Sequence, residues 1–155
     1  QAGCAVEYIP DEDRLPSCRI QVSGENGIRA VPYIRTGPYP EFPTDAQSLF
    51  LALLSKAYGE SIIEESVFEN RFLVASQLRK MGADIEVAEQ RACVRGVSRL
   101  HGETVCATDL RSGAALLVAA AMADGTTRIH NAELILRGYE KPAEKMNELG
   151  IHARM

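Results

Sequence analysis

The stretch TDAQSLFLALLSKAYGESII, residues 44–63, has a counterpart further along the chain in TDLRSGAALLVAAAMADGTTRI, residues 108–129. Thr44-Asp45 recurs as Thr108-Asp109 after 64 residues, and Gly59-Glu60-Ser61-Ile62-Ile63 recurs as Gly125-Thr126-Thr127-Arg128-Ile129 after 66. Working outward, Arg71 is matched by Arg137, again after 66, and Met81-Gly82-Ala83-Asp84-Ile85 by Leu149-Gly150-Ile151-His152-Ala153 after 68. The opening Ala2-Gly3-Cys4-Ala5-Val6 has the form of that last feature once more. Four landmarks in one order at nearly one spacing mark an internal repeat.

Each copy parses into the same elements. Ala46, Leu49, Phe50, Leu53, Leu54 and Ala57 fall at helical spacing and predict one apolar helix face. Thr44 is the expected N-cap, with Gln47 completing a capping box. In the second copy a helix is expected from Thr108, with Leu110, Ala114, Leu117, Val118 and Ala121 on its face. Gly59 and Gly125 are the expected stops, each followed by a short β-branched stretch. A loop then carries Arg71 or Arg137. A second helix follows, marked by Val74, Ala75, Leu78 and Met81 in one copy and by Ala143, Met146 and Leu149 in the other. Gly82 and Gly150 stand where a left-handed cap is needed. Asp84–Val87 and Ala92–Val97 alternate as a strand pair. The unit is strand, helix, strand, helix, strand, strand, which predicts an α/β (α+β) fold of stacked units. Residues 1–23 read as the end of one unit, 28–97 as a second and 103–155 as a third, all within one partial domain. Gln1-Ala2-Gly3 has the form of a helix end without an initiator Met, so the chain reads as a fragment of something longer.

Composition narrows the class. The 155 residues are 46% hydrophobic and 25% charged, the balance of a globular chain. Seventeen basic against 21 acidic residues give a net charge of −4, which argues against nucleic acid as the main partner. The longest apolar run, Gly113 to Ala123, is far short of the roughly 20 residues a membrane span needs. Cys4, Cys18, Cys93 and Cys106 form no C-x-x-C pair and have no histidine at metal spacing. Reduced, mostly buried thiols in a cytoplasmic protein are expected, with one disulfide pair as the alternative. No signal peptide is visible, and no metal or cofactor is expected.

The recurring polar residues carry the functional signal. Equivalent points on neighbouring units come close in space, so Asp45, Asp109, Arg71, Arg111 and Arg137 are expected to converge on one mouth. Three guanidinium groups suit a phosphate or carboxylate ligand, which their planar forks grip bidentately. A plainer reading stands beside it: Thr44 and Thr108 as caps, Asp45 and Asp109 as first-turn acids, the arginines as solvated loop residues. His101, His130 and His152 have no partner spacing that supports catalysis. Asp11-Glu12-Asp13 reads as a solvated turn.

Four runs are specific in combination: Glu41-Phe42-Pro43-Thr44-Asp45-Ala46-Gln47, Val67-Phe68-Glu69-Asn70-Arg71-Phe72, Ala107-Thr108-Asp109-Leu110-Arg111 and Arg137-Gly138-Tyr139-Glu140. In this order and spacing they closely resemble the C-terminal part of the UDP-N-acetylglucosamine 1-carboxyvinyltransferase family, the enolpyruvyl transferases that begin peptidoglycan synthesis. The sister family acting on shikimate 3-phosphate, one alternative, shares the fold but not the Phe-Pro-Thr-Asp and Glu-Asn-Arg-Phe runs; the other alternative is a non-catalytic ligand-binding or interaction module that kept the fold. Two departures stand out: Leu134 and Leu136 where the family often has His and Asp, and Leu73-Val74 where it often has Met-His.

The resemblance implies an inside-out α/β barrel of βαβαββ units, three to a domain, with this chain covering about two units of one domain. It implies phosphoenolpyruvate and UDP-N-acetylglucosamine as substrates, no cofactor, and the remainder of the parent chain as a partner. Asp45 matches the carboxylate beside the reacting hydroxyl. Thr44 and the backbone at Val67 match nucleotide-sugar contacts. Arg71, Arg111 and Arg137 match residues that hold phosphate or carboxylate or brace the closed state, and Asp109 an acid near the reacting carbon. None of the four cysteines corresponds to the family's reactive one.

Overall fold

The computed structural model describes residues 2–10, 18–24 and 27–155. The expected turn at Asp11-Glu12-Asp13 lies outside them. β1 (Ala5–Pro10) and β2 (Cys18–Ser23) form an antiparallel ribbon in which Val6 faces Val22 and Tyr8 faces Ile20. All four of these side chains are exposed.

The middle of the chain realises the repeat unit in full. In order it runs β3 (Tyr33–Arg35), α1 (Thr44–Leu54), β4 (Glu60–Glu64), α2 (Val74–Lys80), β5 (Asp84–Ala88) and β6 (Arg91–Arg95). The strands make one sheet in the order β3-β4-β6-β5, with β3 parallel to β4 and the other pairs antiparallel. Period-two alternation sets its faces. Ile34, Ser61, Ile63, Ile85, Ala92 and Val94 point inward and are buried. The outer face is polar: Arg95 pairs with Glu60, Asp84 and Glu86, and Glu64 binds Tyr33, Arg35 and Arg91. Those contacts hold Glu64 below the usual carboxylate range, with the Tyr33 hydroxyl the largest cause and Arg91 next.

Beyond β6 come β7 (Leu100–His101), β8 (Thr104–Cys106), α3 (Leu110–Met122), β9 (Ala123–Asp124), β10 (Arg128–His130), α4 (Glu133–Leu136) and α5 (Pro142–Glu148). β8 pairs with β10 and β7 with β9, both parallel. α3 packs against α1, α2 and α4, and α1 and α3 carry most of the fully buried helix residues. Ala52 on α1 and Ala115 and Ala119 on α3 are fully buried in the shared core. No helix among the described residues is long and apolar enough to cross a membrane.

The helix details differ from expectation in an instructive way. The most buried residues of α1 are Gln47, Ser48, Leu51, Ala52 and Leu54 rather than the whole predicted stripe. Those of α3 are Ser112, Gly113, Ala114, Ala115, Leu116 and Ala119, while Ala121 is exposed. Helices surrounded on several sides have no single apolar face, so periodicity points at the wrong one. The surface helix α2 behaves as predicted, burying Val74, Ala75 and Leu78, with Met81 just beyond it. In the other copy Leu149 is exposed. Gly82 and Gly150 do take left-handed backbone, at φ +92 and +81. Gly59 and Gly125 do not stop their helices, which end earlier, at Leu54 and Met122. The thiols are not mostly buried: Cys4 is exposed, Cys93 and Cys106 are partly so, and all three are free.

Candidate functional site

Both expected threonine caps are corrected. α1 starts at Thr44 itself, with Pro43 in the cap position and no side-chain cap bond. The Thr44 hydroxyl instead donates to both carboxyl oxygens of Glu65, at 3.0 Å each. Gln47 completes no capping box; it is fully buried, accepting a hydrogen bond from Ser48 Oγ at 3.1 Å. At α3 the cap is Asp109 rather than Thr108. Its Oδ1 accepts from the backbone N–H groups of Arg111 and Ser112 at 2.8 and 2.9 Å, and Ser112 Oγ closes the box onto the Asp109 N–H. The Thr108 hydroxyl joins this cluster through Ser112 Oγ.

Freed from capping, Asp45 looks outward, its side chain 63% exposed. Its Oδ1 accepts from Arg111 Nε at 2.5 Å and faces a terminal nitrogen of Arg71 at 3.7 Å. Arg71 opens a 3₁₀ turn, Arg71–Leu73, and its side chain is only 11% exposed. Its guanidinium lies 4.3 Å from the centroid of the Phe68 ring, a cation–π contact, and its Nε is buried without a partner. The Arg111 hydrogen bond, helped by the charges of Arg111 and Arg71, holds the Asp45 carboxyl below its ordinary range against a small opposing effect of burial. The same contact raises Arg111.

The structure therefore joins Asp45, Arg71 and Arg111 into one cluster, although 66 residues separate Asp45 from Arg111. Asp109 lies at the same helix start as Arg111 and adds to its field, while most of its own bonds go to the cap. Arg137 follows α4 and is exposed. The next residue, Gly138, packs against the first residue of α3: a Cβ there would meet Leu110 Cδ2 at 2.8 Å. The Val67 N–H donates to Glu65 Oε1 at 2.9 Å. The whole presents one carboxylate and two guanidinium groups facing it, an arrangement that can hold a phosphate or carboxylate beside an acceptor for a hydroxyl proton.

Sequence reading missed Glu65, Phe68 and Ser112. Strand alternation carried a signal for the first, since Ser61 and Ile63 point inward and Glu65 continues their parity.

Residues 2–146 match the family described as EPSP synthase (3-phosphoshikimate 1-carboxyvinyltransferase). The chain is similar to the UDP-N-acetylglucosamine 1-carboxyvinyltransferase of Desulfofundulus thermocisternus, at 50% identity over 145 residues. That alignment covers 94% of this chain and 57% of the relative. It is 53% identical over 117 residues to the protein of that name from Thermotoga maritima, covering 76% of this chain and 28% of that one. Among solved structures, the enolpyruvyl transferase NikO from Streptomyces tendae superposes with a TM-score of 0.75 at 27% identity, covering 94% of this chain and 32% of its own. The chain thus spans from about a quarter to just over half the length of these relatives.

Proposed function

The chain belongs to the EPSP synthase family, and on that footing we propose that it is the C-terminal part of an enzyme that moves the enolpyruvyl group of phosphoenolpyruvate onto the 3′-hydroxyl of UDP-N-acetylglucosamine. In this reading the parent enzyme works in the cytoplasm at the start of peptidoglycan synthesis. The observation that carries it is Asp45 held between Arg111 and Arg71 at the start of a helix. The 50% identity to a relative bearing that activity in its name supports the choice of acceptor.

The chemistry is an addition followed by an elimination. The hydroxyl oxygen bonds to C2 of phosphoenolpyruvate while C3 takes a proton; C3 then gives up a proton and phosphate leaves, restoring the double bond. Asp45 is the acceptor for the hydroxyl proton. With Arg111 and Arg71 both facing it, it is a weak base. An anionic substrate that draws on the same arginines lessens their hold on Asp45 and raises its basicity when the acceptor hydroxyl arrives. Arg71, Arg111 and Arg137 bind phosphate and carboxylate, Asp109 sits at the same rim, and Thr44 and the Val67 backbone border the sugar nucleotide.

Catalysis needs groups on both sides of the ligand, so the 155-residue chain alone should release no phosphate from the two substrates. In the full-length protein Asp45→Ala should lower kcat far more than nucleotide-sugar affinity, and wild-type turnover in that variant would overturn the role. Transfer to shikimate 3-phosphate in preference to UDP-N-acetylglucosamine would reassign the acceptor.

A further inference from the structure

We propose that Glu65 is a positioning residue that sets the geometry of Asp45 and Arg71. Its side chain is fully buried. Oε1 accepts the backbone N–H groups of Val67 and Phe68 at 2.9 and 3.1 Å, and both oxygens accept the Thr44 hydroxyl. Its own N–H donates to the Gln90 carbonyl at 2.8 Å, fixing it to the turn between β5 and β6. One carboxyl group thus ties the first residue of α1 to the loop that leads to Arg71.

Both tied segments end in the cluster. Thr44 adjoins Asp45, and the Phe68 ring supports the Arg71 guanidinium that faces Asp45. A buried carboxyl group is costly unless its bonds are complete. The polar choice is explained by what it holds.

The other copy of the repeat has no carboxyl at the equivalent strand position. Asn131 stands 66 residues after Glu65, and its amide binds the Ala107 carbonyl and Cys106 Sγ. In that copy Thr108 joins the capping cluster through Ser112, and Asp109 is the cap.

This inference rests on the enolpyruvyl-transfer reading, and its test separates the two. In the full-length protein, Glu65→Gln, Thr44→Val, Thr44→Ser and the Glu65→Gln/Thr44→Val double variant are assayed with phosphoenolpyruvate and UDP-N-acetylglucosamine, alongside melting temperature. Glu65→Gln should lower kcat about 10- to 100-fold, the scale of a small misplacement of reacting groups, with little change in either KM. Thr44→Ser, which keeps the hydroxyl, should turn over faster than Thr44→Val, and the double variant should be no slower than the slower single variant, because both changes act on one contact. Wild-type kcat in Glu65→Gln with only a lower melting temperature would make Glu65 a packing residue and overturn the proposal, as would multiplying effects in the double variant. If Glu65→Gln fails to fold, the Thr44→Val and Thr44→Ser pair decides, and equal wild-type turnover in both overturns it. A readout independent of activity is the NMR titration of the Asp45 carboxyl, which should move up toward its ordinary value in Thr44→Val. Absence of turnover in the wild type would sink the functional reading alone, leaving that titration to judge the positioning.

Discussion

At the start of α1, Thr44 gives its hydroxyl to Glu65 and Asp45 faces Arg71 and Arg111. At the start of α3, Thr108 and Asp109 turn back onto Ser112 and the first turn of their own helix. The dipeptide is the same, and a serine follows each aspartate three residues on, as Ser48 and Ser112. What differs is phase. Thr44 and Asp45 are the first two residues of α1, whereas Thr108 and Asp109 precede α3, which starts at Leu110. The helix starts are therefore 66 residues apart while the dipeptides are 64 apart. By helical position the counterpart of Asp45 is Arg111, and those two are the residues that pair. A repeat can thus place one motif in two jobs by a two-residue slip, leaving one aspartate for the cap and the other to face Arg71 and Arg111.

The sharpest way to break this contrast is an isosteric change at each aspartate in the full-length protein. Asp45→Asn should lower kcat by about 10²–10⁴, the usual contribution of a positioned proton acceptor, with little loss of stability. Asp109→Asn keeps a good cap, so its melting temperature should stay at the wild-type value, while loss of its charge beside Arg111 should lower turnover by roughly tenfold. Equal losses at both positions would erase the difference in roles.

Stability gives a second measure. Thr44→Val removes a donor from a buried carboxyl group and should cost about 1.5–3 kcal/mol by denaturant unfolding. Thr108→Val leaves the Asp109 cap intact and should cost under about 1 kcal/mol. Asp109→Ala removes the cap and should cost about 1 kcal/mol.

The smallest effect is in pH. The folded value of Asp45 is lowered, so its ion pairs stabilise the fold above the ordinary aspartate value of about 3.9, and that stability is lost as pH falls through the lowered value. For a side chain this exposed the gain is about 0.2–1 kcal/mol. The difference in unfolding free energy between wild type and Asp45→Asn should be present at pH 7, begin to shrink near pH 4, and vanish only once the pH falls below the lowered folded value. A difference that persisted there would point to packing rather than charge.

Much of this was open to sequence reading, and the residues that were not show why. The spacings of 64 and 66 already contained the slip between the helix starts, yet a threonine before an apolar run reads as a cap whichever turn it belongs to. Arg71 and Asp45 could be brought together from the repeat because each has a counterpart. Glu65 has none of its own kind, its counterpart being Asn131, so the repeat passed over it; only strand parity reached it. The faces of α1 and α3 were hidden for another reason. In a run such as Gly113 to Ala123, apolarity is nearly uniform, and neighbours decide which side is tightest, as Ile135 does against Gly113.

The ribbon of β1 and β2 has a practical outcome for anyone handling this chain by itself. Two strands alone are marginally stable in water, and here Val6, Tyr8, Ile20 and Val22 line one side of the pair in the open. Amide deuterium uptake should be fast along this ribbon and slow in β4 and β6, which are paired on both edges. The same greasy stripe invites molecules to stick to one another as concentration rises. Light scattering of the purified chain should grow with concentration, and Val6→Lys with Ile20→Lys should suppress it without touching Asp45 or its arginines.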